Sequence, residues 1–194
     1  MADAVATKNV LGSIQENYLD EYWVGKKDST GKIIWLYLAD GITNVTPKYT
    51  DKKKTAAYYN GGGQERNTIT GVTSSYDISG DRSIGNPAQD DIASMKQKTG
   101  SARERMFRKC QYLQNDDGSL TLHTVETGMG TFSDIDDGGG AADDNGGFKT
   151  TLSYNASPAT IGPDATADLV SVLADTPCQN VDIMGVTLTN TASK

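Results

Sequence analysis

His123 is the only histidine in the 194 residues. A Ser-His-Asp or Cys-His nucleophile would have to be built around it. It lies among threonines in a strand-like run, and no G-x-S-x-G elbow presents a serine, so its expected place is structural. Cys110 and Cys178 are 68 residues apart and, with one histidine, too few to hold zinc. A disulfide between them depends on backbone geometry; buried free thiols are the preferred reading. Asp134, Asp136, Asp137, Asp143 and Asp144 crowd the segment 133–147 (SDIDDGGGAADDNGG). Clustered carboxylates suit a hard cation such as calcium. The spacing fails, because Gly138 and Asn145 stand where an EF-hand needs its fifth and its closing twelfth ligand. A solvated acidic loop is expected instead. Paired carboxylates can also cleave glycosides, but they need rigid support, which a glycine-rich loop does not provide. Neither Gly61-Gly62-Gly63 nor Gly138-Gly139-Gly140 leads into the Gly-Lys-Ser/Thr of a phosphate loop. No enzyme, metal or cofactor is expected.

The cations point elsewhere. Lys52, Lys53 and Lys54 stand between Lys48-Tyr49 and Tyr58-Tyr59. Aromatic rings beside cations can stack on bases or sugars. A basic excursion and an acidic one on the same subunit also favour contact between identical copies. Head-to-tail contacts of that kind build rings or filaments. A binding module for carbohydrate or a cell surface is the alternative, with Trp23 and Trp35 as stacking platforms.

Composition narrows the class. Glycine is abundant, 21 residues, without a G-X-Y period. Two cysteines cannot make a disulfide framework. No apolar run approaches the roughly 18 residues of a membrane helix, and no secretory signal is visible at the start. The net charge of -7 opposes tight wrapping of nucleic acid, which needs clustered Lys and Arg.

Threonine, serine, asparagine and glycine favour short strands and turns. Tyr22-Trp23-Val24 and 32–39 (KIIWLYLA) are expected to form a hairpin across Asp28-Ser29-Thr30-Gly31, the second strand buried. Residues 40–63 form a long, partly extended excursion. In 68–78 (TITGVTSSYDI), Ile69 and Val72 do not share a strict face, and Gly71 suggests a bulge. A helix is expected over 86–99: Asn86 caps it, Pro87 opens it, Gln89 completes a capping box, and Ala88, Ile92 and Met95 form one apolar face. Residues 104–114 read as helix or strand. The turn Asn115-Asp116-Asp117-Gly118 favours a strand paired with 119–127, where Leu120, Leu122 and Thr124 oppose Thr121, His123 and Val125. Further strands are expected over 148–156 and 181–189, with a weaker run at 168–173. The whole reads as an N-terminal arm (1–17) and one domain (18–194).

This layout resembles the major tail proteins, or tail tube proteins, of long-tailed, non-contractile bacteriophages. The resemblance spans roughly residues 18–161. It rests on the opening pair YWVGKKDSTGKIIWLYLA, the basic excursion ITNVTPKYTDKKKTAAYYNGGG and the strand TITGVTSSYDISGDRSIG. The capped helix NPAQDDIASMKQKTG and the strands RERMFRKCQYLQNDDGSLTLHTVET and FKTTLSYNASPATI complete it. The resemblance implies a mainly β fold: a β-sandwich or barrel with one flanking α-helix and long extended loops, shared with the type VI secretion tube. It implies stacked, hexameric rings, with residues 40–63 as the inter-subunit loop and 1–17 as an ordering arm. It also implies a negative lumen for DNA, no membrane insertion, and tape-measure, tail-terminator and distal-tail partners. The location would be the virion tail, after assembly in the host cytoplasm.

Overall fold

The computed structural model describes residues 15–115 and 118–161, with the backbone of 182–183 and 186–187. All but the last three residues of the expected N-terminal arm, the 168–173 run and Cys178 lie outside these residues.

Asp28 shapes the first turn: its Oδ1 accepts from Thr30 N (2.8 Å), Thr30 Oγ1 (2.7 Å) and Lys32 N (3.0 Å). The turn joins β1 (Glu21–Lys27) to β2 (Ile33–Tyr37). Residues 40–63 are not a loop in their middle. They supply β3 (Ile42–Ala57), which pairs with β4 (Glu65–Asp81) in one long hairpin. Helix α1 (Pro87–Ala93) follows, then β5 (Glu104–Gln114), β6 (Leu120–Asp137), β7 (Gly147–Tyr154) and β8 (Ala159–Ile161). Two-residue strands β9 (Asp182–Ile183) and β10 (Val186–Thr187) pair separately.

The sheet is antiparallel, in the order β2-β1-β5-β6-β7-β4-β3, with β8 also on β6. It is an open path ending in β2 and β3. The strand expected to be buried is therefore an edge, and Ile34 on it is exposed. Strands lie about 4.8 Å apart, so in a flat sheet β4 and β5, separated by β6 and β7, would stand about 14 Å apart. Yet the rings of Tyr76 (β4) and Phe107 (β5) meet at 5.3 Å, and Tyr22 (β1) reaches Tyr76 at 6.4 Å. The sheet therefore curls around these rings. Val24, Ile78, Phe132, Phe148 and Leu152 fill the same interior. The opposite face carries a second apolar layer of Leu19, Trp23, Cys110, Tyr112 and Val125.

The helix closes the interior. Ala88, Ile92 and Met95 are fully buried, and Asn86 Oδ1 caps the Ala88 and Gln89 amides at 3.1 Å each. It is shorter than expected. Ser94 Oγ donates to Asp91 O (2.7 Å), a local bond that competes with the helix. The chain then tightens, with Met95 N to Ile92 O (2.9 Å) and Lys96 N to Ala93 O (3.2 Å). Arg103 takes up the carbonyls of Lys96 and Lys98.

Gln89 does not close a capping box. It is fully buried, and its Nε2 donates to the carbonyls of Asp40 (2.7 Å) and Asp81 (3.2 Å), while Oε1 accepts from Ser83 N (2.8 Å). Around it, Arg82 binds Asp90 (2.6 Å) and Asp137, and Lys96 also reaches Asp137 (3.0 Å). Asp91 takes Arg105 from β5 (2.7 Å) and Lys26 from β1 (2.8 Å). Burial pushes Asp91 up, but Arg105 and Lys26 outweigh it and hold the carboxyl below its ordinary range. Arg82, then Lys96, do the same for Asp137.

Gln89→Ala removes three part-buried hydrogen bonds to the backbone and should cost about 1–3 kcal/mol, readable by denaturant unfolding. Because Asp91 and Asp137 have lowered folded-state pKa values, their stabilisation is present above the ordinary carboxylate value near 4 and is lost as pH falls through the lower values. Asp91→Asn and Asp137→Asn should each flatten the loss of thermal stability measured below about pH 4.

Candidate functional site

Strand β4 pairs with β7 only over 75–81, so beyond Ser75 the β3–β4 hairpin has no third strand among the described residues. Residues 48–57 and 65–74 form a free two-stranded arm, about 30 Å long at roughly 3.3 Å per residue. Its root is fixed by close backbone contact: a Cβ at Gly80 would lie 2.1 Å from Gly41 O, so only glycine fits. Its tip turns through Tyr59–Gly61 and then Gly62 and Gly63, both at positive φ, which glycine tolerates.

The arm has two unlike faces. Side chains alternate along a strand, and the register places Tyr49 opposite Ser74, Asp51 opposite Val72, Lys53 opposite Ile69 and Thr55 opposite Asn67. Thr70 is an extra residue, because Lys52 faces Gly71 while Lys53 faces Ile69. This is the bulge that Gly71 suggested, and it brings Ile69 and Val72 onto one face with Tyr49. The three are 57%, 60% and 62% exposed. Towards the body, the same face continues into Pro47, Tyr76, Val45 and Ile78, so the stripe runs outward from the core. The other face carries Lys48, Lys52, Lys54 and Arg66, while Asp51 and Lys53 stand beside the stripe on its own face.

The sequence-selected residues divide. Lys52, Lys53 and Lys54 are exposed on the arm and make no ion pair among the described residues. Lys48 instead pairs with Asp77 at the root, and its ammonium, with the Thr151 hydroxyl, lowers the Asp77 pKa. Tyr58 is half exposed and Tyr59 wholly so. The acidic segment is shorter than 133–147, since β6 runs to Asp137 and β7 starts at Gly147. Asp137 is no loop residue: it ends β6 inside the helix clamp. Asp134 sits at a second bulge with φ 49° and accepts from Ser133 Oγ (3.1 Å). Asp134, Asp136, Asp143 and Asp144 are exposed, and Asp144 Oδ1 holds Asn145 N (2.9 Å). The arm and the acidic residues are not brought together within one subunit by any hydrogen bond or ion pair among the described residues.

Charge is divided as sharply. Residues 46–75 hold five cations (Lys48, Lys52, Lys53, Lys54, Arg66) and two anions (Asp51, Glu65), a net of +3. A chain of net -7 therefore leaves -10 on the remainder.

No protein-family model and no curated protein matches the sequence. Solved structures do match the fold. The tail of an empty gene transfer agent particle, solved with C6 symmetry, aligns at TM-score 0.55 and 11% identity, covering 77% of this chain and 100% of that one. The SPP1 tail tube aligns at 0.55 and 10%, covering 93% and 95%. The sheath-tube complex of an extracellular contractile injection system aligns at 0.51 and 12%, covering 77% and 92%. The chain has the tail-tube fold.

The proteins that share this tail-tube fold here are structural tube components, not enzymes. Within it, Ile69, Val72 and Arg66 are the surface residues that sequence reading missed. Their signal is the i, i+3 spacing of Ile69 and Val72 around Gly71, which becomes one face only once the bulge is counted.

Ile69→Asp and Val72→Asp, on an exposed face, should change subunit unfolding by no more than about 0.5 kcal/mol.

Proposed function

We propose that this chain is a tail tube subunit, a non-enzymatic structural protein of a virion tail. Copies associate into stacked rings of six and form a conduit through which DNA passes into the host. The observation that carries this reading is the free arm. An isolated two-stranded ribbon is marginal in water, and this one exposes an apolar stripe continuous with the core. Such a surface is made to be covered by another copy.

The division of charge supports the same reading, since a +3 arm is drawn to a -10 body. Lys52, Lys53, Lys54, Tyr49, Tyr58 and Tyr59 form the inter-subunit contact, and Asp134, Asp136, Asp143 and Asp144 belong to the acidic surface that attracts it. An acidic conduit lets DNA slide, because it offers no cations to replace the DNA's counterions. Assembly takes place in the host cytoplasm, with tape-measure, tail-terminator and distal-tail proteins as partners. The carbohydrate-binding alternative loses its platforms: Trp23 is buried against Tyr37, and Arg108 lies 4.3 Å over the Trp35 ring.

Negative-stain microscopy of the concentrated protein should show rings or hollow tubes. Replacing 49–74 by a short turn keeps Val45, Pro47, Tyr76 and Ile78 in the body and should leave a folded monomer. A monomeric wild type at high concentration, or tubes from the armless variant, would defeat the proposal.

A further inference from the structure

The chain contains the tripeptide Asn-Gly-Gly twice, at Asn60-Gly61-Gly62 on the arm tip and at Asn145-Gly146-Gly147 before β7. Asparagine is a chemically labile residue. Before glycine it is open to attack by the next backbone nitrogen, because no Cβ crowds the approach. Asn60, Gly61, Asn145 and Gly146 are all exposed. Sequence and exposure therefore rate the two sites equally, and the backbone hydrogen bonds separate them.

The Gly61 amide is committed. It donates to Tyr58 O (3.0 Å) within the short helical turn Tyr59–Gly61, which holds the proton that the nitrogen must lose before it can attack. The Gly146 amide donates to nothing among the described residues. A Cβ on Gly146 would meet no atom closer than 3.6 Å, so the space beside the amide is open. Its surroundings are nevertheless held. Asn145 N donates to Asp144 Oδ1 (2.9 Å), Asn145 Nδ2 donates to Asp81 Oδ2 (3.2 Å), and Gly146 O accepts from Arg82 N (2.7 Å).

We propose that Asn145 is a site of spontaneous covalent modification, deamidation to aspartate and isoaspartate with water as the co-reactant. Gly146 N gives its proton to solvent and bonds to Asn145 Cγ. The Cγ–Nδ2 bond breaks, and Nδ2 takes up a proton from solvent and leaves as ammonia. Water then opens the cyclic imide. Cleavage of the new Cγ–N bond leaves an aspartate; cleavage of the original backbone C–N bond leaves an isoaspartate, with the chain running through the former side chain. Nothing is oxidised or reduced.

The aspartate puts a carboxylate where an amide donated to Asp81, so an attraction becomes a repulsion between like charges. The isoaspartate lengthens the main chain by a methylene just before β7. Either product adds negative charge to the acidic loop and loosens it from the end of β4.

The test is ageing of the full chain at mildly alkaline pH, followed by peptide mass spectrometry of both sites. In the folded protein Asn145 should convert about fivefold faster than Asn60, the protection that one net hydrogen bond confers. In denaturant the two rates should converge. Equal rates in the folded protein, or faster conversion at Asn60, overturn the proposal. So does a preference that persists in denaturant, because the fold would then not be its source. Hydrogen exchange tests the loosening: Asn145→Asp should speed exchange of the Arg82 amide about threefold or more. The Asp81→Asn/Asn145→Asp double variant exchanges donor and acceptor and should restore the wild-type rate. Unchanged exchange in the single variant, or no recovery in the double, overturns the loosening.

Discussion

Four times along its long strands the chain inserts one residue where the partner strand has none, and the shape of the protein follows from those insertions. The extra residues fall at Thr43, Thr70 and His123, and between Ser133 and Asp136. Each brings two apolar residues three apart onto the same face: Ile42 with Val45, Ile69 with Val72, Leu122 with Val125, and Phe132 with Ile135. Bulges bend a strand and raise its twist. A straight sheet in this strand order could not bring Tyr22, Tyr76 and Phe107 together. The same device sets the arm's apolar stripe, so the curled interior and the exposed surface share one cause.

Charge does different work in the two halves of the molecule. Around α1, acids and bases are spent in pairs: Asp91 with Arg105 and Lys26, Asp137 with Arg82 and Lys96. These pairs join the helix to β1, β5, β6 and the residue that follows β4, and the cations outweigh burial so that the carboxyls stay ionised. On the arm, Lys52, Lys53 and Lys54 are left unpaired within the described residues. A chain of net negative charge thus gathers three adjacent unpaired lysines on the arm.

Much of this was legible in the residues themselves. Asp28 announced its turn, Asn86 and Pro87 the helix start, and Asn115 with Gly118 the β5–β6 hairpin, because each acts through local backbone chemistry. The arm was legible as a basic excursion but not as a strand. Pro47 and three lysines speak against a sheet interior, and a free ribbon with solvent on both sides has no buried face to impose alternation. The facing of Leu122 and Val125 was misread for a related reason. Strict alternation puts Leu122 with Thr124 and opposite Val125, and only the pairing register reveals the unmatched His123. Asp137 looked like one more acid in a glycine-rich loop, since nothing local marks it as the partner of Arg82, 55 residues away.

The Gly41–Gly80 crossing that fixes the arm's root also decides how the arm carries load. A strand pair clamped at one end is a cantilever. Tension along its axis is shared by the whole ladder of hydrogen bonds in shear, whereas a sideways force peels them one at a time. A connector of this kind resists stretching far more than bending, so a chain of such subunits would hold its length while it flexed.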